Sequence, residues 1–397
     1  MRPLLLSHFT ATSCIGQGLQ PTLAALQAQR SGLQPCDFDS VDLATWTGTV
    51  EGLDDEVLPA ALQAYDCRNN RLAQLGLRQD HFDEAVQALA SRIGRKRIGV
   101  FLGTSTSGIL QTEMAYRQLD PVTGKLPDSF KYATTHNSFS VTSFVREFFQ
   151  LEGPAMTVSS ACSSSAKVFA SARRMMAAGL IDAAIVGGVD SLCLTTLYGF
   201  NSLGLTSTRA CRPFDAERDG ISIGEAAAFA LLEWAPEHLD GKDVLLLGVG
   251  ESSDAHHMSS PHPEGLGARM AMQSALDMAG LAAADIGYIN LHGTATPSND
   301  AAETKAVVAL FGSGTPCSST KGATGHTLGA AGGVEAVISA LALQNGLLPG
   351  GLNTQVLDPA LPLNYLLENR DDAVTRVLSN SFGFGGTNCS LVFGRAG

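Results

Sequence analysis

The stretch Thr157-Val158-Ser159-Ser160-Ala161-Cys162-Ser163-Ser164-Ser165-Ala166 changes from an apolar, strand-like run to the small residues typical of a helix start. A single thiol lies at that junction. The first N–H groups of a helix have no partner within the helix and carry partial positive charge, so they favour a thiolate and can bind a developing oxyanion. Cys162 is therefore a candidate nucleophile. The alternative is a buried structural cysteine, since free cysteine is among the most buried residue types.

Two histidines later in the chain also follow strand-like runs and open onto turns. His292 lies in Asn290-Leu291-His292-Gly293-Thr294, and His326 lies in Thr324-Gly325-His326-Thr327-Leu328-Gly329. Either histidine alone is more typical of a loop residue than of a catalyst, but three reactive side chains at strand exits are a rarer coincidence. The segment Ser379-Asn380-Ser381-Phe382-Gly383-Phe384-Gly385-Gly386-Thr387-Asn388 adds a glycine-rich turn whose backbone N–H groups can face a bound group.

Taken in this order, the four motifs resemble those of the elongating β-ketoacyl-[acyl-carrier-protein] synthases of the thiolase superfamily. The resemblance spans nearly the whole chain and includes residues 212–220, 226–233 and 253–258. It implies an acyltransferase that holds an acyl chain as a thioester on Cys162 while malonyl-[acyl-carrier-protein] loses CO2 and attacks that thioester. It implies no metal and no cofactor beyond the phosphopantetheine of the acyl carrier protein, on which the substrates are carried.

The chain also repeats itself at about half its length. Strand-like runs over residues 3–7, 98–103 and 156–160 are echoed by runs over 244–249, 286–291 and 316–320. Alternating strands and helices predict a largely parallel sheet covered by helices. The resemblance implies an α/β fold of duplicated, thiolase-like type, with five layers (α-β-α-β-α) and two mixed sheets. We predict an N-terminal half over 1–240 that carries the cysteine, and a C-terminal half over 241–397 that carries both histidines and the glycine-rich turn.

The resemblance assigns supporting roles around the two histidines. His292 and His326 are expected to donate hydrogen bonds to the enolate oxygen that forms when malonyl loses CO2. Lys321 is expected to be buried beside Glu335 and to hold the histidine loop, because a buried ammonium needs a partner. The weaker candidates for bonding Lys321 or the loop backbone are Asp300 and Glu303.

The resemblance also assigns an oxyanion hole and an acyl gate. The N–H groups of Cys162 and Phe384 are expected to bind the oxyanion of the tetrahedral intermediate. Phe382 and Phe384 are expected to gate the acyl and malonyl pockets, with core packing as the alternative. Thr106 falls where elongating synthases have a residue that limits the acyl tunnel.

An acidic carrier protein needs a positive surface on a chain whose net charge is −12. That charge disfavours nucleic acid and anionic membranes as partners. The residues expected by resemblance to dock the carrier are Arg68, Arg71, Lys125 and Lys131. Residues 132–149 resemble the dimer-forming stretch of the family, and the aromatic residues in it that we expect at the interface are Phe139, Phe144, Phe148 and Phe149. We therefore predict a homodimer with a large apolar interface, and a heterodimer with a related subunit stays open.

The eight cysteines are scattered singly without a Cys-x-x-Cys pair, which disfavours metal sites and small disulfide frameworks and indicates a reducing compartment. His8 interrupts the short apolar opening too early for a signal peptide. No apolar run approaches the roughly 20 residues of a membrane helix. We expect a cytoplasmic enzyme without a membrane span.

Other members of the superfamily differ from this prediction at specific residues. A degradative thiolase would use a second cysteine near its C-terminal glycine turn, and an initiating synthase would have asparagine in place of His326. A noncatalytic partner subunit would usually lack the nucleophile that Cys162 supplies. The sequence leaves open the acyl chain length, the carrier, and whether the pathway makes fatty acids or polyene and polyketide chains.

Overall fold

The computed structural model describes residues 2–395, so residues 1, 396 and 397, at the outer ends of the two predicted halves, lie outside the described residues. The strands are β1 Leu4–Ser13, β2 Gly16–Gln17, β3 Gln34–Pro35, β4 Trp46–Gly48, β5 Ile98–Gly103, β6 Ala155–Val158, β7 Ala183–Asp190, β8 Ile223–Gly224, β9 Ala226–Trp234, β10 Val244–Ser253, β11 Tyr288–Asn290, β12 Pro316–Ser318, β13 Leu347–Leu348, β14 Asn364–Tyr365, β15 Arg370–Asp371, β16 Arg376–Gly383 and β17 Thr387–Arg395. The α-helices are α1 Leu19–Gln27, α2 Arg68–Leu77, α3 Phe82–Ile93, α4 Ile109–Arg117, α5 Ser140–Phe148, α6 Ser164–Ala177, α7 Leu194–Ser202, α8 Leu266–Ala279, α9 Pro297–Phe311, α10 Lys321–Thr324 and α11 Ala331–Asn345.

Both halves of the chain build the same strand arrangement. In the first half β6, β5 and β7 run parallel and are followed by antiparallel β9 and β1. In the second half β12, β11 and β16 run parallel and are followed by antiparallel β17 and β10. Parallel neighbours need crossover connections, which the intervening helices supply. The predicted fold class, a duplicated thiolase-like α/β fold, is confirmed.

The two mixed sheets meet along one edge. β1 pairs with β10 through Leu4 with Leu246 and Leu5 with Leu245. This short antiparallel contact joins the halves into the strand order β14-β12-β11-β16-β17-β10-β1-β9-β7-β5-β6, with β2 paired to β1. The predicted pair of sheets is therefore present as two halves of one hydrogen-bonded sheet.

The helices form three layers around these sheets. α6 and α11 lie between the two sheets and contact strands of both, while α2 and α5 cover the outer face of the first sheet. α8 covers the outer face of the second sheet, and α9 packs on α8. α11 is buried on all sides over its residues 331–343, as expected for a helix that is apolar all round.

The central layer is tight because glycine allows close approach at two positions. A Cβ on Gly332 would lie 2.8 Å from the Cβ of Ala166, and a Cβ on Gly103 would lie 2.3 Å from the backbone nitrogen of Ser165. Because these two glycines have no side chain, the backbones of α11 and β5 pack directly against the first turns of α6. This packing sets the start of α6, and with it Cys162, at the junction of the two halves.

The segment predicted to form a dimer contributes partly to the core of its own chain. Phe144 and Phe149 are fully buried against residues of α2, α3 and β5, which corrects the expectation that they lie on an interface. Tyr132 and Phe139 are 58% and 36% exposed, and Met156 on β6 is 42% exposed. β6 is the edge strand of the first sheet, so Met156 is an exposed apolar side chain on a sheet edge.

The predicted boundary between residues 240 and 241 falls in the connection between β9 and β10, and this division stays a prediction. Within residues 2–395, no helix combines the length and the apolarity needed to cross a membrane.

Candidate active site

Cys162 lies between the end of β6 and the start of α6, where it lines a cleft. The preceding residue, Ala161, has φ 51°, a left-handed conformation that costs a non-glycine residue free energy and clusters at functional sites. Cys162 itself is only 5% exposed. The other side chains in the cleft include His292, His326 and Phe382.

The environment of Cys162 differs from the simple helix-terminus expectation. Burial raises the pKa of the Cys162 thiol to about 11, against the lowering effects of the Lys321 ammonium and of the backbone N–H groups of Phe384 and Cys162. Desolvation therefore outweighs the helix start, because a charged sulfur loses its hydration in this site. The resting side chain is the thiol at neutral pH.

His326 contacts Cys162 directly. Its Nε2 lies 3.0 Å from the Sγ of Cys162, and its Nδ1 accepts a hydrogen bond from the backbone N–H of Leu328 at 3.3 Å. Burial, together with the nearby Lys321 charge, holds the pKa of His326 well below its usual value. A neutral imidazole whose Nδ1 accepts must carry its proton on Nε2, so the N–H of His326 faces the cleft.

His292 presents the same tautomer from the other side. Its ring lies 5.4 Å from that of His326, with an interplanar angle of 83°. The Nζ of Lys321 lies 3.4 Å from the Nδ1 of His292, so the proton of this ring also belongs on Nε2. Burial first, and then the charge of Lys321, holds the pKa of His292 well below its usual value.

Lys321 and Glu335 form a buried ion pair beneath these histidines. Their residues are 1% and 3% exposed, and the ammonium donates both to the Glu335 carboxylate and to the backbone oxygen of His292 at 2.5 Å. Burial raises the pKa of Glu335 to about 7, although Lys321 opposes that rise. The contact expected between Lys321 and Glu335 is present.

The two acidic residues ranked lower at the start of α9 have separate partners. Glu303 accepts the backbone N–H groups of His292 and Gly293, each at 2.8 Å, and burial raises its pKa to about 7. Asp300 instead accepts the N–H of Phe214 at 2.9 Å. Glu303 therefore holds the backbone N–H of His292, while Lys321 holds its backbone oxygen and its ring. Chain spacing alone does not reveal this division.

The glycine-rich turn brings Phe382 and Phe384 to the cleft. The ring of Phe382 lies 5.8 Å from that of His292, and the ring of Phe384 lies 5.5 Å from that of Phe200. Gly385 and Gly386 have φ 81° and 73°, so the turn that presents the N–H of Phe384 requires glycine.

Sequence reasoning missed two neighbours of this turn. Phe200 in α7 packs against Phe384 across the cleft, and no sequence signal separates it from an ordinary core aromatic. Asp254 accepts from the Asn388 side chain at 2.8 Å, while its own N–H bonds to Gly386 at 2.7 Å. Asp254 lies in the matched segment 253–258, so that segment was the available signal.

Thr106 is not among the residues of 2–395 that line the cleft. Its hydroxyl and its N–H both donate to the carboxylate of Asp190, at 2.8 and 2.9 Å, and the side chain is buried. The structure therefore does not bring Thr106 together with the other predicted site residues, and its role in limiting the acyl chain stays a prediction.

The four predicted docking residues are not equivalent. Arg68 is buried and bonds both Glu225, at 2.7 Å, and Asp54, so its assignment to a docking surface was wrong: a buried guanidinium paired with two carboxylates cannot meet a carrier. Arg71 is 30% exposed and pairs with Asp66. The exposed members of the set are Lys125 and Lys131.

The chemistry of the three central side chains does not suit a metal ion. The ligand atoms of Cys162, His292 and His326 lie within 4.8 Å of one another, close enough for coordination. Imidazole must offer an unprotonated nitrogen to a metal, but both Nε2 atoms carry protons here. The Lys321 ammonium beside His292 would also repel a cation.

Comparisons with known proteins give the family. Residues 77–238 match the model of the beta-ketoacyl synthase N-terminal domain, and residues 244–355 match that of the beta-ketoacyl synthase C-terminal domain. The chain is 32% identical over 421 aligned residues to 3-oxoacyl-[acyl-carrier-protein] synthase 2 of Vibrio cholerae, with 99% of each chain covered. The chain belongs to the β-ketoacyl synthase family.

Solved structures agree with this assignment. A chain of a ketosynthase in complex with its chain length factor from Xenorhabdus doucetiae superimposes with a TM-score of 0.90 at 38% identity, covering 100% of this chain and 98% of that chain. The ishigamide ketosynthase/chain length factor gives a TM-score of 0.89 at 26% identity with both chains fully covered. This β-ketoacyl synthase is thus an acyltransferase of fatty-acid or polyketide-type chain elongation, as the sequence predicted.

Proposed function

We propose that this β-ketoacyl synthase condenses an acyl chain held on Cys162 with malonyl-[acyl-carrier-protein], releasing CO2. The observation that carries the proposal is the convergence of one thiol and two imidazole N–H groups on a single buried cleft. This set supplies a nucleophile and two donors for a developing oxyanion.

In the first step the sulfur of Cys162 attacks the thioester carbon of an acyl carrier protein. The S–C bond to the enzyme forms, and the carrier thiol leaves with a proton. The backbone N–H groups of Cys162 and Phe384, both of which lower the pKa of the Cys162 thiol, bind the oxyanion of the tetrahedral intermediate. Because donor and product are both thioesters, the exchange is close to energetically even.

In the second step malonyl-[acyl-carrier-protein] occupies the cleft and loses CO2. The electron pair of the broken C–C bond moves onto the thioester oxygen, which accepts hydrogen bonds from the Nε2–H groups of His292 and His326. Neutral imidazoles suit this role, since the low pKa values of both rings keep their single proton on the donor atom.

In the third step the enolate carbon attacks the acyl thioester on Cys162. The new C–C bond yields a β-ketoacyl carrier two carbons longer, and the sulfur of Cys162 leaves and takes up a proton. Lys321 and Glu335 act by positioning, because their pair holds the Nδ1 side of His292. Phe382 and Phe384, which line the cleft, act as the gate.

The partner that supplies both substrates is an acyl carrier protein, which is part of the name of the Vibrio cholerae relative. Its phosphopantetheine carries the acyl groups, and the reaction as written balances without a further cofactor. The docking residues that remain after the exclusion of Arg68 are Arg71, Lys125 and Lys131. All eight cysteines are free thiols, as expected of a protein in the reducing cytoplasm, where we place this enzyme.

Intact mass spectrometry tests the function. The enzyme is mixed with acyl carriers of several chain lengths and then with malonyl carrier. We expect an acyl adduct on the wild type and a product two carbons longer on the carrier, and neither with Cys162→Ala. Cys36→Ala, which removes a half-buried cysteine outside the cleft, is the matched control and should keep both. An adduct that persists in folded Cys162→Ala would refute the assignment.

The second candidate is the active subunit of a heterodimer with a related chain. The solved neighbour at 38% identity comes from a complex of a ketosynthase with its chain length factor. The exposed apolar side chains of Tyr132 and Phe139, in the segment predicted to form a dimer, and of Met156, on edge strand β6, support a paired subunit. Light scattering after size exclusion distinguishes the two: a particle of twice the chain mass that condenses alone indicates a homodimer. A chain that condenses only when co-expressed with a related subunit indicates the heterodimer and favours polyene or polyketide elongation over fatty-acid synthesis.

A further inference from the structure

A single buried carboxylate links the two halves of the chain behind His326. Asp190, the last residue of β7, is fully buried and accepts the backbone N–H groups of Ser105, Thr106 and Gly329, the last at 2.5 Å. It also accepts the hydroxyl protons of Thr104, Ser105 and Thr106. Six donors thus converge on one carboxylate, and Gly329 belongs to the loop that carries His326.

The loop after His326 has a strained backbone that needs such support. Leu328 has φ 52°, a left-handed conformation that persists in a non-glycine residue only where the surroundings impose it. The backbone of His326 is held separately, because its N–H bonds to Ser222 at 2.7 Å and its carbonyl accepts the N–H of Gly224 at 3.0 Å. The N–H of the peptide between Leu328 and Gly329 donates instead to Asp190, at 2.5 Å, and at the longer distance of 3.3 Å to the hydroxyl oxygen of Ser105, which Asp190 itself binds.

This arrangement connects Asp190 to the proton of His326. The φ and ψ torsions of Leu328 join the peptide that Asp190 holds to the peptide whose N–H donates to the Nδ1 of His326. If the Leu328–Gly329 peptide rotates, the N–H of Leu328 no longer points at the Nδ1 of His326. The imidazole is then free to carry its proton on Nδ1 and to present an unprotonated Nε2 to Cys162.

We propose that Asp190 is a positioning residue that keeps the proton of His326 on Nε2 by holding the Gly329 N–H. The inference rests on the proposed condensation, in which that Nε2–H binds the enolate oxygen. Acyl transfer to Cys162 does not need the donor, since the oxyanion of that step is bound by backbone N–H groups. Replacing Asp190 should therefore slow the decarboxylation of malonyl-[acyl-carrier-protein] without slowing acyl transfer to Cys162.

Asp190→Asn is the first test. The asparagine oxygen should take the place of Oδ1, which accepts from the Thr104 hydroxyl and from the hydroxyl and N–H of Thr106. The asparagine NH2 then faces the Gly329 N–H, and that hydrogen bond is lost. We expect malonyl decarboxylation to slow between about 10-fold and about 10³-fold, the upper limit being the loss of one oxyanion-hole donor. Acylation of Cys162, followed by intact mass, should stay within about threefold of wild type, because backbone N–H groups bind the oxyanion of that step and the thiol proton leaves with the carrier thiol. Equal slowing of both steps, or of neither, overturns the proposal.

Gly329→Ala attacks the same bond from the other side, because a Cβ there would lie 2.7 Å from the Asp190 Oδ2. It should reproduce the split and serves if Asp190→Asn does not fold. The control is Asp80→Asn, which alters a carboxylate that also holds a backbone N–H and a threonine hydroxyl, at the start of α1. It should lower stability and leave the ratio of the two half-reactions unchanged.

A readout that involves no reaction separates this proposal from the function itself. Nitrogen NMR of ¹⁵N-histidine-labelled protein, with His326 assigned by its loss in His326→Gln, reports which ring nitrogen carries the proton. We expect Nε2–H in wild type and a shift toward Nδ1–H in Asp190→Asn. A wild-type Nδ1–H tautomer overturns the inference, whatever the enzyme condenses. The expected tautomer and shift in a protein that condenses nothing would refute the proposed function and leave the role of Asp190 standing.

Discussion

Replacing Lys321 with methionine removes the charge that supports His292 without shortening the side chain. Lys321 and Glu335 are 1% and 3% exposed, so Lys321→Met leaves the Glu335 carboxylate buried without its cation. The second oxygen of that carboxylate, Oε2, already has no hydrogen-bond partner within the described residues. Removing one partner of a buried pair costs about 3–5 kcal/mol in the free energy of unfolding.

The size of this loss should depend on pH with a defined sign. Burial raises the pKa of Glu335 to about 7 in the folded wild type, above its unfolded value. Its contribution to stability is therefore present at low pH and is lost as the pH rises to that value. Without Lys321 the folded pKa moves higher still, so the variant keeps losing stability above pH 7, by about 1.4 kcal/mol per pH unit, where the wild-type contribution of Glu335 no longer changes.

Urea unfolding at pH 7, 8 and 9 measures both quantities. We expect a deficit that widens with pH, and we expect Lys321→Met/Glu335→Gln to recover much of it because the double variant removes the buried charge. Lys305→Met takes away an exposed lysine of α9 that pairs with Glu264 and should stay within about 0.5 kcal/mol of wild type. A deficit of Lys321→Met below about 1 kcal/mol, or one that is constant from pH 7 to 9, would refute the reasoning.

Three further outcomes follow from the structure. Because burial raises the pKa of Cys162 to about 11, its alkylation by iodoacetamide should still accelerate with each pH unit up to pH 9, and a plateau below pH 8 would contradict this. Arg68→Ala should cost about 3–5 kcal/mol in urea unfolding by leaving a buried carboxylate unpaired, yet leave carrier affinity per folded molecule unchanged, whereas Arg71→Ala should weaken carrier binding measured by titration. Gly103→Ala should slow acylation and cost about 1–3 kcal/mol through overpacking against the first turn of α6; Gly199→Ala, which meets nothing within 4 Å, is its control, and equal effects of the two would be evidence against the packing argument.

The docking prediction shows where sequence reasoning failed. Arg68 and Arg71 lie in one short segment and look alike as isolated cations. Folding turns Arg68 inward onto Glu225, 157 residues away along the chain, and leaves Arg71 partly exposed. The direction in which a side chain points from a helix depends on what packs against that helix, and nothing local in the sequence reports it. Phe144 and Phe149 were misjudged for the same reason.

The sequence by itself predicted the fold class, the candidate nucleophile Cys162 and the histidine pair, because each is carried by local motifs and by the family resemblance of those motifs. A strand that ends in small residues around Cys162, and two histidines at strand exits, can be read within about ten residues each, and the repeat of strand order predicts that the two halves converge. Only the tertiary structure decided the protonation and the support of the site. The pKa of Cys162, the tautomers of His292 and His326, and the clamp by Asp190 depend on burial and on contacts between distant segments. Desolvation and hydrogen-bond direction are properties of the packed molecule, and they exist only once the two halves are joined.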